Sequence, residues 1–355
     1  MRRTTLARAL ALAVATVAVL AGCSAQPAAS KSDAPFIALS NSFIGNSWRQ
    51  TMVNRFEAAA TKAQKAGDIS GFKVENAPGD NSATEQIAQI KTLLLQKPDI
   101  LLIDPASPSA LTPVIQQACS IGVKVVIFDS SSEAPCVTIV TNSFPDWAST
   151  ATEAVIKAMG GKGNLLISRG VVGSAPEAEY YAAQKKVLAK YPKVKVVGTV
   201  TGLCDSATAQ KAVLGVLSSL PKIDGVAGCG DGFGIAQAFQ SAGRKIPAVT
   251  FEPSGRALQF WKKNADGSGS IAIMSDPGQV VAAMFTALEI EKGQKVPHTV
   301  VFPSVTIQEN QLDQWLPHVN ADQMASWPWT ASLVKKQITA DEDKTTAALP
   351  PIPGT

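Results

Sequence analysis

From residue 36 onward the chain alternates short apolar runs with longer segments whose apolar residues recur every three or four positions. The runs FIAL, FKVEN, DILLI, VKVVIFD and CVTIVT have the length and β-branched content of strands. Between them Trp48, Met52, Phe56 and Ala59 share one helical face, as do Ile87, Ile90 and Leu94. After TNSFPDW the pattern begins again. NLLIS, VKVVGTV, DGVAGC and AVTF predict strands, and helices are predicted over 147–159, 176–190, 206–219 and 233–242. Such alternation predicts an α/β fold with parallel sheets covered by helices on both faces, here as two doubly wound lobes.

In sheets of this kind a ligand sits outside the carboxyl ends of the strands. The residues at those ends are Ser42, Phe43, Asn46 and Trp48, then Asp104, Asp129, Asn142, Arg169, Asp231 and Glu252. Most are polar, which suits a ligand with many hydroxyls. Carboxylates accept hydrogen bonds from neighbouring hydroxyls, Asn both donates and accepts, and Trp stacks against the C–H face of a sugar ring. Several also have a purely structural reading. Asp129 precedes Ser130–Ser132 and suits a turn cap, Asp104 opens DPASPSAL like a helix N-cap, and Trp48 suits the core face of a first helical turn. The run GCGDGFG around Asp231 does not complete a dinucleotide fingerprint, because Phe233 stands where the last glycine belongs and no P-loop Lys follows. Close backbone approach at a helix start accounts for its glycines equally well.

The ends of the chain read differently. Residues 1–22 carry Arg2, Arg3 and Arg8, then an apolar run from Ala9 to Leu20 and no acid, the layout of a secretory signal peptide. They end in LAGC, which resembles a bacterial lipobox with Cys23 as the lipid-bearing residue. Residues 23–34 are small and polar, a flexible tether, and the low-complexity end over 341–355 is expected to be disordered. Removing three arginines and no acids from 32 basic and 28 acidic residues leaves the mature chain close to neutral. It has no basic stripe for nucleic acid. His298 and His318 are its only histidines, which argues against a histidine triad or zinc site; no metal and no cofactor are expected. Four cysteines remain after Cys23, an even number that favours disulfides in an exported chain. Cys119 ends a predicted helix one unit before Cys136, and Cys204 and Cys229 follow neighbouring second-lobe strands, so pairs 119–136 and 204–229 are expected, with buried free thiols as the alternative.

The lipobox and tether, together with IALSNSFIGNSWRQTMVNRFE, QKPDILLIDPASPSALTPVIQQACSIGVKVVIFDS and DGVAGCGDGFGIAQAFQSAG, resemble the periplasmic-binding-protein type I family, the ribose-binding-protein-like sugar receptors of ABC transporters. The resemblance implies two Rossmann-like lobes joined by three crossovers and closing over one sugar: 35–141 plus 275–303, and 142–274 plus 304–340. It matches Ser42, Asn46 and Trp48 to the polar and aromatic positions after the first strand and Asp129 to a sugar-chelating Asp. Asn142 falls at the first hinge, and Asp231 and Glu252 match hydroxyl-holding positions of the second lobe. Two departures stand out. Glu177 occupies a place where ribose-type receptors often carry Arg, leaving Arg169 as a substitute, and Met274 or Ser275 stands near a usual hinge Gln.

The resulting expectation is a monomeric, lipid-anchored, extracytoplasmic receptor that captures a neutral sugar or polyol and delivers it to an ABC permease. A signal or nucleoside receptor on the same fold is the alternative. A glycoside-processing enzyme is disfavoured, although paired carboxylates are what that chemistry needs.

Overall fold

A computed structural model describes residues 34–77, 81–170, 172, 175–265 and 267–353; the expected signal peptide, Cys23 and the tether up to residue 33 lie outside the described residues. The first lobe begins with β1 (Phe36–Asn41), α1 (Ser47–Ala66), β2 (Gly71–Asn76), α2 (Ala83–Leu94), β3 (Ile100–Asp104), α3 (Thr112–Ser120), β4 (Lys124–Phe128) and β5 (Thr138–Asn142). The second comprises α4 (Phe144–Ala158), β6 (Gly163–Arg169), α5 (Ala175–Leu188), β7 (Val194–Thr201), α6 (Ser206–Leu217), β8 (Gly225–Ala227), α7 (Gly232–Ser241), β9 (Ala248–Phe251), α8 (Gly255–Asn264) and β10 (Ile271–Met274). The chain returns as α9 (Gln279–Glu291) and β11 (Thr299–Phe302), crosses again as β12 (Val305–Gln308), and ends in the single turn α10 (Leu312–Trp315) and in α11 (Ala331–Glu342).

Each lobe holds a six-stranded sheet, in the orders β2-β1-β3-β4-β5-β11 and β7-β6-β8-β9-β10-β12. Neighbouring strands are parallel except β12, which runs antiparallel to β10. Every residue of β3, ILLID, is buried. A strand covered by helices on both faces has no solvent side, so it reads as an unbroken apolar run. In both sheets the order reverses beside the first strand of the lobe, which leaves a crevice at the strand ends there.

The three expected crossings lie after β5, after β10 and between β11 and β12. A fourth joins them. Residues 316–330 strap back across the junction, and α11, expected in the second lobe, packs on α9 and β11 of the first. The strap is tied to both lobes: Met324 N donates to Thr51 Oγ1 at 3.1 Å and Ala325 N to Pro253 O at 2.7 Å. Trp327 N and Trp329 Nε1 both donate to buried Asp276 Oδ2, at 3.2 and 2.7 Å. No helical or strand period marks this segment; the burial of Trp327 and Trp329 holds it. Residues 343–353, assigned to disorder by composition, likewise run along the body, with Pro350 buried and Ile352 against the core. Two disulfides join Cys119 to Cys136 and Cys204 to Cys229.

Candidate functional site

Between the two sets of strand ends lies a cavity of ≈ 540 Å³. The first lobe supplies Asn46, Ser47, Trp48, Arg49 and Asp129, and the second supplies Trp147, Ser206, Glu252 and Ser254. Met274 and Ser275 border it from the junction and Met324 from the strap.

The turn after β1 is built by side-chain hydrogen bonds. Asn41 Nδ2 donates to Phe43 O at 2.6 Å and to Asn76 Oδ1 at 2.8 Å, and Asn46 Oδ1 accepts from Arg49 N at 2.8 Å, capping α1. The cap sets the first helical turn so that Trp48 and Arg49 both reach the cavity. Trp48 is buried apart from that face, and its Nε1 donates to Ser275 O at 2.9 Å. Arg49 lies against the Trp48 ring, donates through Nη1 to Asn41 Oδ1 at 2.9 Å and forms an ion pair with Asp104. Burial raises Asp104 to about 6 although Arg49 pulls the other way.

Asp129 occupies the left-handed region, at φ 53°, immediately after β4. Burial, and secondarily the charge of Asp104, push it up to about 7. Gln279 Nε2, at the start of α9, donates to Asp129 Oδ1 at 3.4 Å and to Asn142 Oδ1 at 3.2 Å. Across the cavity Glu252 follows β9 and accepts from Ser206 Oγ at 2.9 Å and Phe233 N at 3.3 Å. It too is pushed up to about 7, mainly by burial. Both donors come from helix starts that approach closely: a side chain at Gly234 would strike Ser206 O, and one at Gly232 would strike Thr250 O. This contact explains Gly232 and Gly234 of GCGDGFG. Trp147 completes an aromatic wall, stacked on Phe144 and edge-on to Tyr180, with its buried Nε1 unpartnered.

Of the sequence candidates, Asn46, Trp48, Asp129 and Glu252 line the cavity. The others do not. Ser42 is fully buried beneath the turn and Phe43 folds over Gly45. Asp104 lies behind Arg49, and Asn142 lies behind Gln279 at the junction with Nδ2 unpartnered. Arg169 is not the guanidinium of the cavity. Its Nε and Nη2 both contact Glu177 Oε1 at 2.6 Å, and its plane lies 3.9 Å over the Tyr181 ring. Asp231 is wholly buried in the second lobe, where it accepts from Ser168 Oγ at 2.5 Å and lies against Gly202 and Gly228. Burial raises it to about 6.

Sequence reasoning missed Arg49, Ser206, Ser254, Gln279 and Met324. Arg49 adjoins Trp48 in the same capped turn, and Ser206 and Ser254 lie just beyond second-lobe strands, so extending the strand-end rule into the following helical turn reaches all three. Met324 arrives on the strap and has no such signal. Among the described residues no group of three or more His, Cys, Asp or Glu is placed to hold a metal ion, and no helix is long and apolar enough to cross a membrane.

The cavity thus presents carboxylate acceptors from both lobes, hydroxyl and guanidinium donors, and indole faces. Arg49, the one cation among the described residues that line it, is paired with Asp104.

The family model for the periplasmic binding protein domain matches residues 37–295. The chain is 29% identical over 247 residues to the xylitol-binding protein of Mycolicibacterium smegmatis, covering 68% of this chain and 70% of that protein. It is 25% identical over 259 residues to the ribose import binding protein of Bacillus subtilis, covering 71% and 83%. The crystal structure of an ABC transporter solute binding protein from Thermobispora bispora is 59% identical and superposes with a TM-score of 0.82, covering 90% of this chain and 100% of that one.

Proposed function

The chain belongs to the periplasmic binding protein family, and from that premise we propose that it captures a neutral sugar or polyol outside the membrane and delivers it to an ABC permease. The observation that carries this reading is the convergence of Asp129 and Glu252, one from each lobe, on a single cavity walled by Trp48 and Trp147. Ionised carboxylates accept hydrogen bonds and donate none, so their ligand must bring donors, which hydroxyls do and phosphates or carboxylates do not. An anionic sugar would meet like charge in a partly desolvated site. A polyol touching both lobes favours the closed arrangement by its differential contacts with the two states. The xylitol- and ribose-binding relatives support the same ligand class. The sequence LAGC supports anchoring through Cys23, with the folded body held at the outer membrane face.

Thermal shift and calorimetry across pentoses, hexoses, alditols, cyclitols, nucleosides, sugar phosphates and uronates test the reading. The expected result is a raised melting temperature with at least one neutral polyol or sugar and no product released from labelled glycosides. Tighter binding of a phosphate, a uronate or a nucleoside than of every neutral sugar and polyol would overturn it.

A further inference from the structure

The second-lobe wall of the cavity carries a disulfide, and we infer that the Cys204–Cys229 bridge is a positioning element of the ligand site as well as a staple of the fold. This rests on the polyol-receptor reading of the same cavity.

The bridge joins the two loops that lead into the helices holding Glu252. Cys204 precedes Ser206, the first residue of α6, by two positions, and Cys229 precedes Phe233, in the first turn of α7, by four. Ser206 Oγ and Phe233 N are the two donors to the Glu252 carboxylate, at 2.9 and 3.3 Å. Tying Cys204 to Cys229 therefore sets the spacing of both donors. It also sets where Glu252 points.

The loop that the bridge holds is conformationally unfavourable. Leu203 and Cys204 lie in succession in the left-handed region, at φ 59° and 54°, where residues with a Cβ are crowded. Gly202 N and Leu203 N both donate to Arg169 O at 3.0 Å, closing the turn and bringing Leu203, Cys204, Asp205 and Ser206 to the cavity edge. On its inner side the bridge packs against Gly170, where a Cβ would come within 3.2 Å of Cys204 Sγ and 3.8 Å of Cys229 Sγ. Gly230, the residue after Cys229, also lines the cavity, at φ 103°. A backbone held in a sparsely populated conformation beside a site persists because surrounding structure over-determines it. Here the covalent cross-link is part of that structure.

The other bridge supplies the control. Cys119–Cys136 joins the end of α3 to the segment before β5 and contributes no residue to the cavity. Its sequence separation of 17 is close enough to the 25 of Cys204–Cys229 that removing either releases a similar loop-closure entropy. A purely structural role predicts matching behaviour for the two.

The test compares the wild type with Cys204→Ala/Cys229→Ala, Cys119→Ala/Cys136→Ala and Cys204→Gly/Cys229→Ala, by melting temperature and by calorimetry with xylitol and ribose. Both alanine pairs should lower the melting temperature alike, but only Cys204→Ala/Cys229→Ala should weaken binding, by about tenfold or more, the size of one misplaced hydrogen bond to a charged group. The glycine variant should recover part of that affinity, because Gly adopts the left-handed turn without a cross-link. Equal affinity changes in the two alanine pairs, no change in either, or no recovery with glycine would overturn the inference. If wild type binds neither xylitol nor ribose, the wider panel decides the receptor reading, and hydrogen exchange on ligand-free protein decides the inference separately. Faster exchange of the 203–206 and 233 amides in Cys204→Ala/Cys229→Ala, but not in Cys119→Ala/Cys136→Ala, supports it, and unchanged exchange refutes it.

Discussion

The indole Nε1 of Trp48 donates to the carbonyl oxygen of Ser275 at 2.9 Å, so the first turn of α1 grips the junction that follows β10. The same ring borders the cavity. One residue thereby borders the cavity and ties the lobe junction together, and substitutions weigh the two contributions. Trp48→Phe keeps an aromatic face but leaves the Ser275 carbonyl without its donor, and should lower stability by about 1 kcal/mol and weaken polyol binding. Trp48→Ala also removes the buried ring and should lower stability by about 3–5 kcal/mol. Denaturant melts and calorimetry check both; a Trp48→Phe protein as stable as wild type would contradict the hydrogen bond's role.

Asp129 and Glu252 should trade stability for affinity. Burial raises both to about 7, so the ligand-free protein holds their charges unfavourably near neutral pH. Asp129→Asn and Glu252→Gln should therefore leave the ligand-free melting temperature unchanged or raise it. Each should weaken polyol binding by about 1.5–3 kcal/mol, the worth of hydrogen bonds to a charged group. Paired melts and calorimetry on the same preparations read out both halves.

The pH dependence has a definite sign. Asp104, Asp231 and Asp276 are raised to about 6 and Asp129 and Glu252 to about 7, in every case chiefly by burial. Between the ordinary carboxylate range and these values the folded state binds more protons than the unfolded state. The stability they contribute is fully present below the unfolded pKa, about 4, and is lost as pH rises through about 6 to 7. The ligand-free melting temperature should accordingly fall between pH 5 and pH 8. Ligand hydroxyls favour the ionised carboxylates, so affinity should rise over the same interval with proton release, measurable by calorimetry in buffers of different ionisation enthalpy. An affinity that falls with rising pH would contradict this assignment.

Arg169→Ala should leave affinity within about twofold of wild type, since the guanidinium pairs with Glu177 away from the cavity. Stability should drop, by about 3 kcal/mol if the buried Glu177 carboxylate keeps its charge. A large affinity loss at unchanged stability would return Arg169 to the site.

Cys23→Ser should abolish incorporation of a labelled fatty acid and move the protein out of the membrane fraction. The motif LAGC motivates this. Labelling that persists in the Ser variant would place the anchor elsewhere.

Much of this protein is determined along the chain. Unbroken apolar runs such as ILLID can be satisfied only by strands covered on both faces, so the two-lobed parallel architecture is written into the spacing of strands and helices. Chain direction in a parallel sheet then decides which strand ends face a ligand, which is why position alone brings Asn46, Trp48, Asp129 and Glu252 to the cavity. Position does not decide where a charged side chain turns. Arg169 and Asp231 also stand at strand ends, but Glu177 and Tyr181 lie beside the one and Ser168 beside the other, and a buried charge follows its nearest compensating partner. Asn142, where the resemblance implies a hinge, stands at the crossing after β5, whereas Gln279, which joins it to Asp129 from more than a hundred residues away, became visible only once the lobes were assembled. Least legible was the strap, which delivers Met324 to the cavity and anchors Trp329 on Asp276. It has no period to announce it, because what orders it is long-range burial of indole rings and hydrogen bonds to a distant carboxylate, and those exist only in the tertiary structure.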